Sequence, residues 1–266
     1  MNPLRRDMLS LTAAGLIHVA ADASATAATD AVSNDLLIRQ AAERGHTDIG
    51  WLNSYHSFSF GGYYDQRHMG FRSLRVINDD RIAAGRGFPT HPHRDMEIIS
   101  YVLDGSLQHK DSTGKGAIIT PDDIQMMSAG TGITHSEYNP SQTDSNHFLQ
   151  IWIEPGLKGV RPRYSDNVVK PDDKQNIWKL IAGPEDSDAS VNIYQDAKIY
   201  ATKLQKGARV DFTLERNRHA WLQVATGEIT VNGTMLKAGD AVASSRATDL
   251  HVTALKDADV LLFDLS

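Results

Sequence analysis

HPHRDMEIISYVLDG (residues 91–105) and GTGITHSEYN (residues 130–139) are the two stretches from which the fold can be predicted. In the first, residues 98–103 are β-branched, aromatic or aliphatic, which predicts a strand, and the Asp-Gly that follows predicts a tight hairpin turn. Further turn signals follow at 112–114 and 121–123. Short strands with nearly regular turns indicate a small antiparallel barrel or jelly roll, rather than a helical or parallel α/β domain.

The same two stretches hold four side chains that suit a metal ion. Because side chains alternate between the two faces of a strand, His91 and His93 point the same way. His135 and Glu137 share a face for the same reason, so the four converge if the two strands face each other. A set of imidazoles and a carboxylate suits Fe, Mn, Cu, Ni or Zn better than Ca or Mg. On an octahedral ion, four protein ligands leave two positions for water, O₂ or substrate.

The choice of carboxylate stays open at this point. An isolated His-x-His pair is more often a surface or structural feature, and the second cluster is what favours a metal here. Asp95 and Glu97 share the parity of His91 and His93, so either carboxylate is within reach of the metal if the strand stays regular.

These motifs resemble those of a known family. Gly85, His91-Pro92-His93, Glu97 and Gly105 resemble the first conserved motif of the cupin superfamily, and Gly132, His135 and Asn139 resemble the second. More narrowly, residues 91–97, 130–137 and 51–60 (WLNSYHSFSF) are similar to the pirin family, and within it to the bacterial quercetinase-like members. The resemblance covers residues 36–266 and implies an all-β fold of two tandem cupin barrels, a bicupin.

The resemblance also implies a ligand set. In pirins, three histidines and one glutamate hold the metal, which corresponds to His91, His93, His135 and Glu137 here. Ordinary cupins take their carboxylate from the position of Glu97, which we therefore expect to accept a hydrogen bond from a ligand imidazole. The implied cofactor is one divalent transition metal per chain, with iron favoured and copper, manganese, nickel, cobalt or zinc as alternatives.

Two functions fit these residues. Pirin-like quercetinases open the central ring of a flavonol with O₂, so the first is a dioxygenase acting on a small aromatic substrate, with Glu137 as the catalytic general base on the enol hydroxyl. The second is a non-catalytic metal-dependent binding or redox-sensing module that docks to a partner protein, as some pirins do. A metal-independent cupin isomerase is disfavoured by the tight ligand set.

The chain divides at a polar stretch. We expect the metal-binding cupin over residues 31–160, a connection over 161–174 limited by Pro162 and Pro171, and a second cupin over 175–266. His219 and His251 of that second half are isolated histidines, so it is expected to lack a metal site.

Several residues around the motifs carry further expectations. The pattern of residues 36–44 predicts a short helix at one end of the first barrel. His56 either lines the site or is a packing residue. Gln150 and Trp152 share one face of an apolar strand and are expected in the pocket, whereas His147 has the other parity and is expected to be structural.

The N-terminus and the composition bear on location and partners. Residues 1–30 contain Arg5-Arg6 before a weakly apolar run, and then small-residue cleavage sites, which predicts a twin-arginine signal peptide and a periplasmic protein; the alternative is an N-terminal tail on a cytoplasmic one. The run is too short and polar to span a membrane.

A net charge of −6 with no basic tract beyond the N-terminus argues against nucleic acid as a partner. No cysteine is present, which excludes thiolate ligands and disulfides.

Overall fold

The computed structural model describes residues 36–121 and 123–266. The signal peptide predicted over 1–30 lies outside these residues. Within the described ranges the chain forms strands, two one-turn 3₁₀ helices (Ala41–Glu43 and Pro171–Lys174) and no α-helix. No helix in these ranges has the length and apolar character needed to cross a membrane.

The first half of the chain forms a barrel from two sheets. The strands of this half are β1 (Leu37–Arg39), β2 (Gly45–Asp48), β3 (Leu52–His56), β4 (Leu74–Ile82), β5 (Gly87–His93), β6 (Glu97–Asp104), β7 (Leu107–Asp111), β8 (Gly116–Ile119), β9 (Asp123–Ser128), β10 (Ile133–Tyr138), β11 (Asn146–Ile153) and β12 (Arg163–Val168). A seven-stranded sheet in the order β12-β9-β6-β11-β4-β3-β2 faces a four-stranded sheet in the order β5-β10-β7-β8.

The second half repeats this plan. Its strands are β13 (Lys179–Gly183), β14 (Val191–Asn192), β15 (Ala197–Leu204), β16 (Arg209–Leu214), β17 (His219–Thr226), β18 (Glu228–Val231), β19 (Thr234–Lys237), β20 (Ala241–Ser244), β21 (Thr248–Ala254) and β22 (Ala258–Leu265). The seven-stranded sheet has the order β1-β20-β17-β22-β15-β13-β14 and the four-stranded sheet the order β16-β21-β18-β19. The predicted all-β fold of two barrels is confirmed.

The helix predicted over residues 36–44 is wrong. Leu37–Arg39 instead forms β1, which pairs with β20 and so joins the sheet of the second barrel. Leu37 is 71% exposed, whereas Arg39 is buried and donates to the Ser57 carbonyl, so the apolar residues are not the ones that the fold buries here. The predicted connection, 161–174, also contains a strand that the pattern did not indicate, β12, which pairs with β9.

The two seven-stranded sheets pack against each other. One cluster of buried side chains contains Ile99 and Tyr101 from β6 together with Trp221 from β17 and Phe263 from β22. Burial of this apolar surface holds the two barrels together. The odd-numbered residues of β6 therefore face the second barrel, and the even-numbered ones face the interior of the first.

The interiors of the two barrels differ. In the second barrel one continuous cluster of aliphatic side chains, such as Leu222, Ile229 and Val252, fills the space between the sheets. In the first barrel the apolar side chains separate into two clusters, one around Phe148 and one around Met127. The space between those clusters is lined by polar groups, and it is there that the predicted metal ligands lie.

Candidate metal centre

Three of the predicted ligands come together. Strands β5 and β10 pair antiparallel so that His135 lies opposite His91 and Ile133 lies opposite His93. One nitrogen from each of the three imidazoles lies within 4.8 Å of the others, and their ring centroids are 4.5–4.8 Å apart. This spacing suits ligands that share one ion, because each sits about 2.0–2.1 Å from the metal.

Hydrogen bonds select which nitrogen of each ring is available. His91 Nδ1 lies 2.8 Å from the Pro89 carbonyl, which can only accept, so Nδ1 carries the proton and Nε2 has a free lone pair. His135 Nε2 is buried and has no hydrogen-bond partner within the described part of the chain. An orphaned buried nitrogen is costly unless a ligand satisfies it, and a metal ion fits that need.

A chain of two further side chains stands behind His135. His109 Nε2 donates to Asp111 Oδ2 at 3.1 Å, so its Nδ1 is the acceptor. That Nδ1 has a single lone pair and lies 3.4 Å from His135 Nδ1 and 3.2 Å from Gln125 Nε2, two donors that share it. Tyr164 of β12 stacks on the other side of the His109 ring, with ring centroids 4.8 Å apart. The chain Asp111–His109–His135 therefore fixes the His135 tautomer with Nε2 free for metal.

His109 lies outside the two motifs that predict the metal ligands. The available signal was the parity of β7, since His109 and Asp111 are two residues apart and so share the interior face of a predicted strand. Burial alone would raise the pKa of Asp111, but hydrogen bonds from Thr113 and His109 outweigh that effect and hold it below its usual range. The carboxylate is therefore charged and accepts the His109 proton.

His93 and His135 are held neutral. Burial, together with the neighbouring His135 and His91, lowers the pKa of His93 to about 4. Burial, with His91 and His109 nearby, likewise lowers the pKa of His135 to about 3. Neutral imidazoles are the form that binds a metal ion.

Glu137 lies in an adjoining group. Its carboxylate is within 4.8 Å of ligand atoms of His109 and His135, in a second set of potential ligands that overlaps the first at His135. The pairing of β10 with β5 shifts register between His135 and Glu137. Glu137 is 1% exposed, and its Oε2 accepts from Gln150 Nε2 at 2.7 Å. Its Oε1 lies 3.3 Å from the Ser100 hydroxyl, whose single proton is shared with Gln150 Oε1 at 3.1 Å. Both His109 nitrogens already have hydrogen-bond partners, so His109 is less suited to be a ligand than His135.

A row of polar side chains crosses the seven-stranded sheet beneath this cluster. Cross-strand pairs connect Gln125, Ser100, Gln150, Asn78 and His56 on five neighbouring strands. Members of the row bond the facing sheet: Gln125 contacts His109, while Ser100 and Gln150 contact Glu137. The first barrel thus has an orienting polar layer where the second has aliphatic side chains.

The cluster opens on a cavity of about 340 Å³. That volume is at the lower end of the range of about 300–1,000 Å³ for small-molecule sites. His91, His93 and Glu137 line the cavity, and its walls include Phe60, Phe88 and Trp152. Trp152 stands edge-on to His93, with centroids 4.9 Å apart. The predicted placement of Gln150 and Trp152 in the pocket is confirmed.

The expectation that Glu97 supports a ligand imidazole is wrong. Asp95 lies in the turn between β5 and β6 and has a φ of +46°, so the backbone is not extended there. The alternation of side chains between the two faces therefore does not continue from His93 to Glu97. Glu97 faces the second barrel, where it accepts from the Ser128 hydroxyl at 2.5 Å and from the Tyr194 amide. Both of its oxygens are used away from the metal cluster.

The remaining histidines have ordinary roles or line the cavity. His56 does line it, with Nε2 2.9 Å from Thr47 Oγ1 and Nδ1 2.8 Å from Asn78 Oδ1. His147 bonds Asp79 on the outer side of the sheet, as its parity predicts. His251 is bonded to Asp211 on the exposed side of the second barrel. Among the described residues, both groups of three or more potential ligands lie in the first barrel.

Comparison with known proteins agrees with this architecture. The family model described as Pirin matches residues 38–153, and the model described as Quercetinase C-terminal cupin domain matches residues 180–265. A quercetin 2,3-dioxygenase from Escherichia coli is 44% identical over 230 residues, which are 86% of this chain and 98% of that protein. A pirin-like protein from Caulobacter vibrioides is 39% identical over 221 residues, which are 83% of this chain and 95% of that protein.

Solved structures give the same result. The crystal structure of YhhW from Escherichia coli superposes with a TM-score of 0.83 at 44% identity, covering 87% of this chain and 97% of that one. The crystal structure of the bacterial pirin YhhW in complex with nickel(II) gives a TM-score of 0.81, covering 86% and 98%. Fold and histidine cluster together define a bicupin with a candidate metal centre in its first barrel. The chain belongs to the pirin family.

Proposed function

We propose that this protein is a metal-dependent dioxygenase of the quercetinase type, which cleaves a flavonol-like enol aromatic with O₂. The observation that carries the proposal is a cluster of three imidazoles, two of which, His91 and His93, line an aromatic-walled cavity together with a buried glutamate. The 44% identity to the Escherichia coli quercetin 2,3-dioxygenase supports this reaction class. Fold alone would not, because one fold serves many reactions.

The ligand set that we propose is His91, His93, His135 and Glu137. The free Nε2 of His135 and the close approach of the three rings support the histidine part. Glu137 lies beside the cluster and completes the set predicted from the pirin resemblance. When bound, a divalent transition metal supplies Lewis acidity toward an enol hydroxyl and access to O₂. Iron is the metal that we favour; nickel, present in the similar YhhW structure, is an alternative, as are copper, manganese, cobalt and zinc.

The protein side chains then have separate tasks. Phe60, Phe88 and Trp152 offer apolar faces to a planar aromatic ring and exclude water from it. Glu137 accepts the proton of the enol hydroxyl, since a carboxylate within hydrogen-bond reach is suited to general-base catalysis. Ser100 and Gln150 hold the Glu137 carboxylate in place through their hydrogen bonds. The chain Asp111–His109–His135 keeps the ligand imidazole in one tautomer.

The test uses purified protein loaded with each candidate metal in turn. We expect O₂ consumption with quercetin, release of carbon monoxide, and about one metal ion per chain. Metal-loaded protein that binds quercetin but consumes no O₂ with any of these metals would overturn the enzyme proposal. It would favour the alternative, a binding or redox-sensing pirin that docks to a partner protein.

We also propose that Arg5-Arg6 directs export through the twin-arginine route to the periplasm. A protein that takes up its metal before export has reason to use a route for folded proteins. Substitution of both arginines by lysine is expected to retain the protein in the cytoplasm, as measured by cell fractionation. Equal amounts of wild-type and variant protein in the periplasm would overturn this proposal, and so would wild-type protein confined to the cytoplasm.

A further inference from the structure

A second carboxyl group lines the same cavity. Asp80 lies on β4, where it pairs with Ser54 of β3 on one side and Phe148 of β11 on the other. It is 2% exposed, and it lines the cavity that also contains His93 and Glu137. Its position is two residues along β4 from Asn78, a member of the polar row, which corresponds to about 7 Å along the strand.

One oxygen of this carboxyl group is unsatisfied. Asp80 Oδ1 is buried and has no hydrogen-bond partner in the described ranges. The adjacent Asp79 faces the other side of the sheet and is bonded by Arg44, Arg81 and His147. Burial raises the pKa of Asp80 to about 7, and the Ser54 hydroxyl only partly opposes that rise. Burial of this carboxyl group with one unsatisfied oxygen therefore destabilises the folded state.

Apart from His91 and His93, which we assign to the metal, the titratable groups on this cavity differ from Asp80 in their bonding. Both oxygens of Glu137 accept hydrogen bonds, and both nitrogens of His56 have partners. Asp80 Oδ1 is an acceptor at the cavity that the surrounding protein does not use. An acceptor left open beside an apolar wall is suited to a hydroxyl supplied by a ligand.

We propose that Asp80 Oδ1 accepts a hydrogen bond from a substrate hydroxyl other than the one that Glu137 deprotonates. This inference rests on the proposed function and specifies its substrate class: aromatic enols that carry a second hydroxyl. The pocket then selects polyhydroxylated substrates over those that carry the enol group alone.

The experiment compares two flavonols in the absence of O₂. Quercetin carries additional ring hydroxyls, whereas 3-hydroxyflavone carries the enol hydroxyl and the neighbouring carbonyl only. Dissociation constants are measured on the metal-loaded protein by quenching of tryptophan fluorescence. In wild type we expect quercetin to bind more tightly, and Asp80→Leu, which keeps the side-chain shape, to reduce that preference about tenfold.

Three further variants make the result specific. Asp80→Asn keeps an acceptor oxygen and is expected to retain most of the preference. Thr47→Val removes a hydroxyl that lines the cavity but is already bonded to His56, so it is expected to leave the preference unchanged. Asp80→Ala is expected to reduce the preference for quercetin as Asp80→Leu does, and it introduces no larger side chain. It replaces Asp80→Leu in the test if that variant does not fold.

The outcomes separate this inference from the proposed function. An unchanged preference in Asp80→Leu or Asp80→Ala, with metal content as in wild type, overturns the inference even if the enzyme consumes O₂. Failure of both flavonols to bind wild type overturns it as well. A preference that depends on Asp80 in a protein without O₂ consumption supports the inference and counts against the enzyme proposal.

Discussion

His109 and His135 face each other with their Nδ1 atoms 3.4 Å apart, so one imidazole accepts a hydrogen bond from the ring that we assign to the metal. The accepting ring is fixed in turn by Asp111, which takes the proton of its Nε2. Such partners orient a ligand and raise its basicity. The candidate metal centre therefore includes two supporting residues, His109 and Asp111, that lie outside the sequence motifs.

Replacement of His109 by leucine tests this support. His135 loses its acceptor, so we expect metal affinity to fall about 10–100-fold while one ion still binds at saturation. Competition with a chelator measures the affinity, and elemental analysis measures the stoichiometry. His251→Leu, an exposed histidine of the second barrel, is the control and leaves both values unchanged. Unaltered affinity in His109→Leu would show that the chain does not orient His135, and a complete loss of the ion would make His109 a ligand itself.

The base role of Glu137 is tested by Glu137→Gln. Glutamine keeps the shape and an oxygen but does not take up the proton, so we expect turnover with quercetin to fall about 10²–10⁴-fold. Metal content, measured in parallel, is expected to remain near one ion per chain because the three histidines are intact. Turnover equal to that of wild type would exclude Glu137 as the base.

Asp80→Asn is expected to stabilise the protein in a pH-dependent way. The pKa of Asp80 is about 7 in the folded state against 3.8 for an ordinary aspartate, so between these values the folded protein binds more protons than the unfolded chain. The contribution of Asp80 to stability therefore falls as pH rises through this window. The gain in unfolding free energy from Asp80→Asn should be small near about pH 4, increase up to about pH 7 and then level off, reaching a few kcal/mol at most. Denaturant titrations at several pH values measure it, and a gain independent of pH would contradict the assignment.

A buried hydrogen-bond chain joins the two barrels and predicts a loss of stability in Tyr101→Phe. The Tyr101 hydroxyl donates to Asp259 at 2.8 Å and accepts from Lys174 Nζ at 3.1 Å. Its removal is expected to lower the free energy of unfolding by about 1–3 kcal/mol. Tyr200→Phe, in a half-buried tyrosine packed on Phe212, is the matched control and should have a smaller effect. Equal effects of the two substitutions would show that the chain does not stabilise the interface.

The positions of the three histidines followed from the sequence because the relevant signals are local. His91 and His93 lie on one regular strand, and period-two alternation holds along it. Glu97 could not be placed in the same way, since the positive φ of Asp95 breaks the strand and resets the parity. The backbone turn at Asp95 thus directs Glu97 away from the histidine cluster, beside which Glu137 lies.

The rest depended on contacts between residues distant along the chain. The strand Leu37–Arg39 has a helix-like apolar pattern, but pairing with β20 of the other barrel overrides it. Tyr164, which packs on His109, lies in residues 161–174, the stretch predicted to connect the two barrels. Asp80 becomes notable only when its neighbours are known, because an unsatisfied oxygen is a property of the packed barrel.

Anomalous diffraction from crystals of the metal-loaded protein tests the central claim most directly. We predict one strong peak in the first barrel, at about 2.0–2.2 Å from Nε2 of His91 and of His135, from a ring nitrogen of His93 and from an oxygen of Glu137. A peak bonded to His109 instead of His91 and His93, or a fully metal-loaded protein without a peak between these residues, would contradict the account.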